Sequence, residues 1–141
     1  MYKSRIAAAL VATIVVALVC GCAILGKGPT DEELITRAIS DYNAALVAKD
    51  LDKMMTVYSD DFEADNGGDK DDVRALLSGA IEQGYLDDLE VNDAECEIKI
   101  EGGTATVGPV EYSSAFGSMS FESTMKKEAD GMWRIVATRA Y

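Results

Sequence analysis

The chain has 141 residues, which is enough for one ordinary domain but not comfortably for two. Lysine and arginine number 13 against 25 aspartates and glutamates, and there is no histidine, so the formal net charge is −12. This charge argues against nucleic acid or anionic lipid as a surface partner. The missing histidine removes the commonest general base and metal ligand.

The N-terminal segment has the layout of an export signal. Lys3 and Arg5 precede the uncharged, largely apolar run from Ile6 to Val19, and a short basic region before such a run is typical of a secretory leader. The sequence Val19-Cys20-Gly21-Cys22 resembles the lipobox of bacterial lipoproteins, with an aliphatic residue three positions before the last cysteine and a small residue just before it.

The lipobox resemblance implies that residues 1–21 are a signal peptide and that Cys22 becomes the lipid-modified N-terminus. Residues 22–30 would then form a short tether. Cys20 fits less well, because Val19 would occupy the position at which the signal peptidase needs a small side chain. We therefore expect a protein of the cell envelope, anchored to a membrane through lipid on Cys22, with its domain outside the cytoplasm.

An uncleaved transmembrane anchor is the alternative interpretation of the same segment. Residues 6–25 carry no charge, and about twenty such residues are just enough to span a bilayer. Lys3 and Arg5 would stay on the cytoplasmic side, in agreement with the positive-inside rule. Cleavage would remove these two residues and leave 11 basic against 25 acidic side chains, a net charge of −14.

A regular apolar stripe predicts that the domain begins with an amphipathic helix. Its members recur at steps of three and four: Leu34, Ile35, Ala38, Ile39, Tyr42, Ala45 and Leu46. Thr30, three residues before Glu33, predicts a capping box at the start of this helix. Asp50 predicts the start of a second, shorter helix. The apolar residues of the second helix are Leu51, Met54, Met55 and Tyr58.

The segment after the second helix is acidic and leads into a third helix. Phe62 and Ala64 alternate with acidic residues, which predicts a short edge strand. Asp69, with Asp72 three residues later, predicts the N-terminus of the third helix, and Gly84 is placed to end it. The apolar stripe of this helix is Val73, Leu76, Leu77, Ala80 and Ile81.

From Leu86 onward the apolar period changes to two, which predicts four antiparallel strands. Gly102-Gly103 and Asp130-Gly131 mark hairpin turns, and Gly108-Pro109 predicts a bulge because proline cannot donate to the ladder. Thr138 is expected to face away from the apolar set. That set is Ala94, Cys96, Ile98, Ile100, Ala105, Val107, Val110, Tyr112, Met119, Phe121, Met125, Trp133, Ile135 and Ala137.

This order of elements predicts an α+β domain: helix, helix, strand, helix and a meander of four antiparallel strands. A long sheet that bends at Gly108 can curl around the first helix. The expected architecture is a cone-shaped, curved antiparallel sheet packed on the N-terminal helix group, with a cavity inside.

Three motifs, together with the amphipathic third helix, make residues 31–141 resemble a nuclear transport factor 2-like domain, of the branch that includes SnoaL-like and ketosteroid-isomerase-like proteins. They are Lys49-Asp50-Leu51-Asp52, Tyr58-Ser59-Asp60-Asp61-Phe62 and Lys126-Lys127-Glu128-Ala129-Asp130-Gly131-Met132-Trp133-Arg134-Ile135-Val136. The resemblance implies a cone that often forms a homodimer through the outer face of its sheet. It also implies a small apolar ligand in the cone and, for a minority of such domains, isomerase, dehydratase or cyclase activity.

An enzyme of this kind would place an acid or base inside the cone, and the candidates are Asp61, Tyr42, Tyr58 and Tyr112. Asp61 would take a proton if burial raised its pKa, and a tyrosine hydroxyl would stabilise the resulting oxyanion. The sequence favours the simpler interpretation, in which Asp61 is a solvated turn residue and the tyrosines lie at the edge of the core.

Aromatic and sulfur-containing side chains form the candidate ligand pocket, and periodicity alone leaves open whether they line a cavity or fill it. The set is Tyr42, Met55, Tyr58, Phe62, Met119, Phe121 and Trp133. Cys96 alternates with apolar residues and is expected to be a small core side chain.

Residues 59–72 include seven acidic side chains, which raises the question of a cation site. A calcium loop beginning at Asp61 fits at Glu63 and Asp65, but it has Asn66 in place of glycine and Asp72 in place of glutamate. A solvated loop is favoured over a loose divalent-cation site, and no metal or cofactor is predicted.

The sequence therefore leaves three functions. The favoured one is a membrane-tethered module that holds a small apolar ligand in its cone or binds a protein partner. The second is an isomerase, dehydratase or cyclase that uses Asp61 with Tyr42 or Tyr58. The third is a cation-associated accessory protein acting through residues 60–72.

Overall fold

Three helices precede a curved sheet of five antiparallel strands in residues 28–141, the part of the chain that the computed structural model describes. The helices are α1 (Asp31–Ala48), α2 (Leu51–Thr56) and α3 (Lys70–Glu82); the strands are β1 (Glu90–Asn92), β2 (Glu97–Glu101), β3 (Thr104–Ser114), β4 (Gly117–Lys127) and β5 (Trp133–Ala140). The predicted signal peptide, the lipid site at Cys22 and most of the tether lie outside the described residues. Within residues 28–141, no helix is both long and apolar enough to cross a bilayer.

The predicted starts of the second and third helices are confirmed by their caps. The Asp50 carboxylate accepts a hydrogen bond from the Lys53 backbone N–H at 3.2 Å at the start of α2. Asp69 and Asp72 form a reciprocal capping box at the start of α3. Gly84 follows α3 with φ +76°, a conformation that costs glycine little.

The predicted edge strand at Phe62 and Ala64 is wrong. The described chain between α2 and α3 makes only one isolated bridge, between Tyr58 and Ile135, before it turns at Asp60. Phe62 is buried in the core, so its alternation with acidic residues reflects the burial of one ring rather than a pleated strand.

The fifth strand is β1, which lies before the first predicted strand, whose apolar residues began at Ala94. β1 and β2 pair with successive parts of the same edge of β3, whose other edge pairs with β4. The chain turns between them at Ala94 and Glu95, where the Asn92 side chain accepts from the Ala94 backbone N–H at 3.1 Å. This turn takes Ala94 and Cys96 out of the ladder in which they were predicted.

Two bulges bend the sheet. One interrupts the pairing of β3 and β4 between Val107 and Val110, as Gly108-Pro109 predicted. The other was not predicted: Val136 is an extra residue in β5, so that Met125 pairs with Ile135 while Thr124 pairs with Ala137. The extra residue reverses the expected facing of the end of β5, and Thr138 pairs with Ser123 on the inner side.

The core lies between α1 and the inner face of the sheet. Its fully buried members include Ile35 on α1, Met125 on β4 and Ile135 on β5. Trp133 is 2% exposed, and its indole N–H donates to the Asp31 carboxylate at 3.0 Å. The pKa of Asp31 is below its ordinary value because Lys127 and then Trp133 donate hydrogen bonds to the carboxylate.

Helix α3 is held more loosely than the predicted stripe implies. None of its residues is fully buried: Val73, Leu77 and Ile81 are partly covered, whereas Leu76 is 72% exposed. These three covered residues are the residues of α3 that pack against the core clusters, and their spacing of four means that a narrow line along the helix meets the core. Leu76 lies off that line and was wrongly assigned to the buried face.

Candidate functional site

A cavity of about 170 Å³ lies between the helices and the inner face of the sheet. Most of its wall is apolar, with hydroxyl groups as the polar part, and no charged side chain among the described residues lines it. The lining residues are Tyr42, Leu46, Tyr58, Leu77, Leu86, Leu89, Tyr112, Phe121, Ser123, Ile135 and Thr138.

Three of the seven residues proposed for the pocket from sequence line this cavity: Tyr42, Tyr58 and Phe121. The others lie elsewhere. Met55, Phe62 and Trp133 are buried in the core cluster beside it. Met119 is 52% exposed near the start of β4.

Two hydrogen-bonded side-chain pairs involve tyrosines that line the cavity. The Tyr42 and Tyr58 hydroxyl oxygens are 2.9 Å apart, close enough for a hydrogen bond with either as donor. Tyr112, on β3, donates to the Asn43 side-chain oxygen on α1 at 2.7 Å. The rings of Tyr42 and Tyr58 meet edge to face, with centroids 5.6 Å apart.

Burial sets the protonation of these tyrosines. It raises the pKa of Tyr42 well above its ordinary value, and the neighbouring Tyr58 raises it further. Burial also raises the pKa of Tyr58 and is the largest cause of the raised pKa of Tyr112. All three are therefore neutral hydroxyls at neutral pH and can donate hydrogen bonds, but they do not act as bases there.

Sequence reasoning missed three polar residues of this region. Asn43 is buried, and its position four residues after Ile39 and eight after Ile35 on the buried side of α1 was a usable signal. Ser123 lies between Phe121 and Met125 in the alternation of β4, so its inward orientation could also have been predicted. The inward orientation of Thr138 could not have been predicted, because the bulge at Val136 that causes it contains no glycine or proline.

Asp61 does not join the tyrosines. Its side chain is exposed and does not line the cavity, while its backbone N–H donates to Ser59 Oγ at 3.1 Å. Ser59 in turn donates to the Glu128 carboxylate at 2.6 Å, and Arg134 pairs with the same carboxylate at 2.5 Å. Two of the motifs behind the family resemblance thus meet in one network that fastens the chain after α2 to the β4–β5 hairpin.

Acidic side chains of residues 60–72 form hydrogen bonds with nearby groups of the same segment. Lys70 donates to the Asp60 carboxylate at 2.8 Å, and this hydrogen bond is the largest cause of a lowered pKa for Asp60. The Asp69 carboxylate accepts from the backbone N–H groups of Asp71 and Asp72, and the Asp72 carboxylate accepts from the Asp69 backbone N–H. Across residues 28–141, no three acidic, histidine or cysteine side chains form a group that could hold a metal ion.

Cys96 is half-buried and packs against the main core cluster. Burial, and to a smaller degree Asp93, raises the pKa of its thiol. A raised pKa leaves the thiol protonated at neutral pH, which disfavours its use as a nucleophile.

Comparison with known proteins identifies the fold. No model of a known protein family matches the chain, and no curated protein matches its sequence. Solved structures do match. A nuclear transport factor 2-like protein of unknown function from Shewanella oneidensis has a TM-score of 0.63 at 18% identity, over 79% of this chain and 98% of that one.

Two further structures agree. A ketosteroid isomerase-like protein from Erwinia carotovora atroseptica has a TM-score of 0.55 at 19% identity, over 79% of this chain and 96% of that one. Bd1075 from Bdellovibrio bacteriovorus has a TM-score of 0.64 at 14% identity; the match covers 76% of this chain but only 40% of that one. At such identities the likeness concerns the fold, and it confirms the predicted α+β cone of the nuclear transport factor 2-like type.

Proposed function

We propose that this chain is an extracytoplasmic lipoprotein whose domain binds one small, largely apolar ligand inside its cone. The observation that carries the binding role is the cavity of about 170 Å³ between α1, α3 and the sheet. An apolar protein cavity of about 150 Å³ is known to accept benzene. The proposed ligand is therefore the size of a single ring, and larger molecules would need α3 to move.

The composition of the wall favours binding over catalysis. The leucines at positions 46, 77, 86 and 89 supply apolar contact, and the tyrosine hydroxyls supply orientation. Acid–base catalysis of the type considered for Asp61 needs a carboxylate within hydrogen-bond reach of the substrate, and the described lining contains none.

A protein interaction through the outer face of the sheet has less support than ligand binding in the cavity. The side chains of that face alternate with the cavity-facing ones and are mostly polar or charged. They include Glu111, Ser113, Ser120, Glu122, Thr124, Lys126 and Arg139. The homodimer that the family resemblance implies stays a prediction, for which sedimentation of the purified protein is the direct measurement.

Toluene should bind to the cavity and raise the melting temperature of the protein saturably, because a ligand that binds only the folded state stabilises it. Leu77→Phe places a larger ring in the cavity and is expected to weaken toluene binding roughly tenfold or more. The matched control is Leu76→Phe, one residue away on the exposed side of α3, which should leave the affinity unchanged. Equal affinities for the two variants, or no binding by the wild-type protein, would contradict the proposal.

The lipid anchor is supported by the lipobox alone and is tested by mass spectrometry of protein from a bacterium with a lipoprotein pathway. The wild-type protein is expected to lack residues 1–21 and to carry diacylglycerol on Cys22. Cys22→Ser should keep its leader and remain unlipidated, whereas Cys20→Ser, the control two residues away, should be processed normally. An intact leader on the wild-type protein would instead support the uncleaved anchor.

A further inference from the structure

Two hydroxyl groups that line the cavity would have no hydrogen-bond partner on a purely apolar ligand. Ser123 on β4 and Thr138 on β5 are directly paired across the sheet, and both line the cavity. Among the described residues, neither side chain has a hydrogen-bond partner. Neither is sealed away as a buried unpaired atom, so both are open to whatever occupies the space.

The tyrosine pair has unused hydrogen-bonding capacity as well. Tyr42 and Tyr58 have one hydroxyl hydrogen each, and their mutual bond uses one of the two. The second hydrogen has no acceptor among the described residues. Tyr42 belongs to α1, and Tyr58 belongs to the segment after α2 that bridges to Ile135. Ser123 and Thr138 belong to β4 and β5. Hydroxyl groups are therefore presented from the helical side and from the sheet.

We infer that the cavity selects an uncharged single-ring molecule with hydroxyl groups on opposite sides, one for the Tyr42–Tyr58 pair and one for Ser123 and Thr138. This inference rests on the proposed function and specifies its ligand. A carboxylate or ammonium group is disfavoured, because no charged side chain among the described residues lines the cavity to compensate for its desolvation.

The preference follows from what the ligand displaces. Free hydroxyl groups in a cavity hydrogen-bond to water, and a purely apolar ring removes that water without replacing its hydrogen bonds. A ring that carries its own hydroxyl groups replaces those bonds and keeps the apolar contacts with the leucines. Each well-made neutral hydrogen bond is worth roughly a few-fold to tenfold in affinity.

Three probes of nearly equal shape test this: p-xylene, p-cresol and hydroquinone, titrated calorimetrically against the full-length protein in detergent, under nitrogen to keep hydroquinone reduced. The affinity is expected to rise at each step, by roughly tenfold or more from p-xylene to hydroquinone. Ser123→Ala combined with Thr138→Val should remove about tenfold of the hydroquinone affinity and should raise the affinity for p-xylene, which then no longer displaces water from those hydroxyl groups. The matched control is Ser120→Ala combined with Thr124→Val, on the outer face of the same sheet, and should change neither.

Equal affinity for all three probes would overturn this inference and leave the proposed binding function intact. If none of the three probes binds, both the inference and the proposed binding function are overturned. The comparison of probes on the wild-type protein does not depend on the variants, so a folding defect in the double variant leaves the test decisive.

Discussion

Gly108→Ala is expected to lower the free energy of unfolding by roughly 3 kcal/mol or more. Gly108 has φ +149°, a conformation that side-chain-bearing residues rarely adopt. A Cβ built there would lie 2.9 Å from both the Glu122 Cα and the Phe121 carbonyl oxygen. Both contacts are with the backbone of β4, so relief requires β3 and β4 to separate at the bulge.

Gly103→Ala is the matched control, because Gly103 lies in the turn before the same strand and a Cβ there would meet nothing within 4 Å. Urea denaturation of both variants measures the difference, with circular dichroism as the signal. A loss of stability that is the same for the two alanines would show that the close approach at Gly108 does not constrain the sheet.

The bulge at Gly108 also shows why part of this fold could be predicted from sequence. Glycine followed by proline is a local mark, and the alternation on either side of it placed Val107, Val110 and Tyr112 on one face, where the structure has them. The bulge at Val136 has no such mark. It coincides with a hydrogen bond from the Glu63 backbone N–H to the Val136 carbonyl at 3.0 Å, a contact between segments more than 70 residues apart. Local pattern could not reveal it.

The same distinction applies to the candidate site. Helical period placed Tyr42 on the covered side of α1, and strand period placed Phe121 on the inner face, because both depend on residues within a few positions. Whether a covered side chain lines a cavity or fills the core depends on how three elements divide the space between them. Met55, Phe62 and Trp133 therefore could not be separated from Tyr58 before the structure was known.

Trp133→Ala is expected to cost roughly 3–5 kcal/mol, the usual range for removing a large buried aromatic side chain. Trp133 is nearly fully buried and ties β5 to the start of α1 through its bond to Asp31. Since small domains have roughly 5–15 kcal/mol of stability in total, this loss is a large share. Met132→Ala is the control, because the neighbouring methionine is 50% exposed and its truncation should cost far less.

A second variant separates packing from hydrogen bonding and tests the assignment of Trp133 to the core rather than to the ligand site. Trp133→Phe keeps most of the buried ring but removes the indole N–H, so it should cost less than Trp133→Ala while the Asp31 contact is lost. Because Trp133 is the only tryptophan, unfolding must be followed by circular dichroism rather than by fluorescence. The folded fraction of Trp133→Phe should bind toluene as the wild-type protein does, since this side chain does not line the cavity. A weakened toluene affinity at unchanged stability would place Trp133 in the ligand site and reverse the assignment.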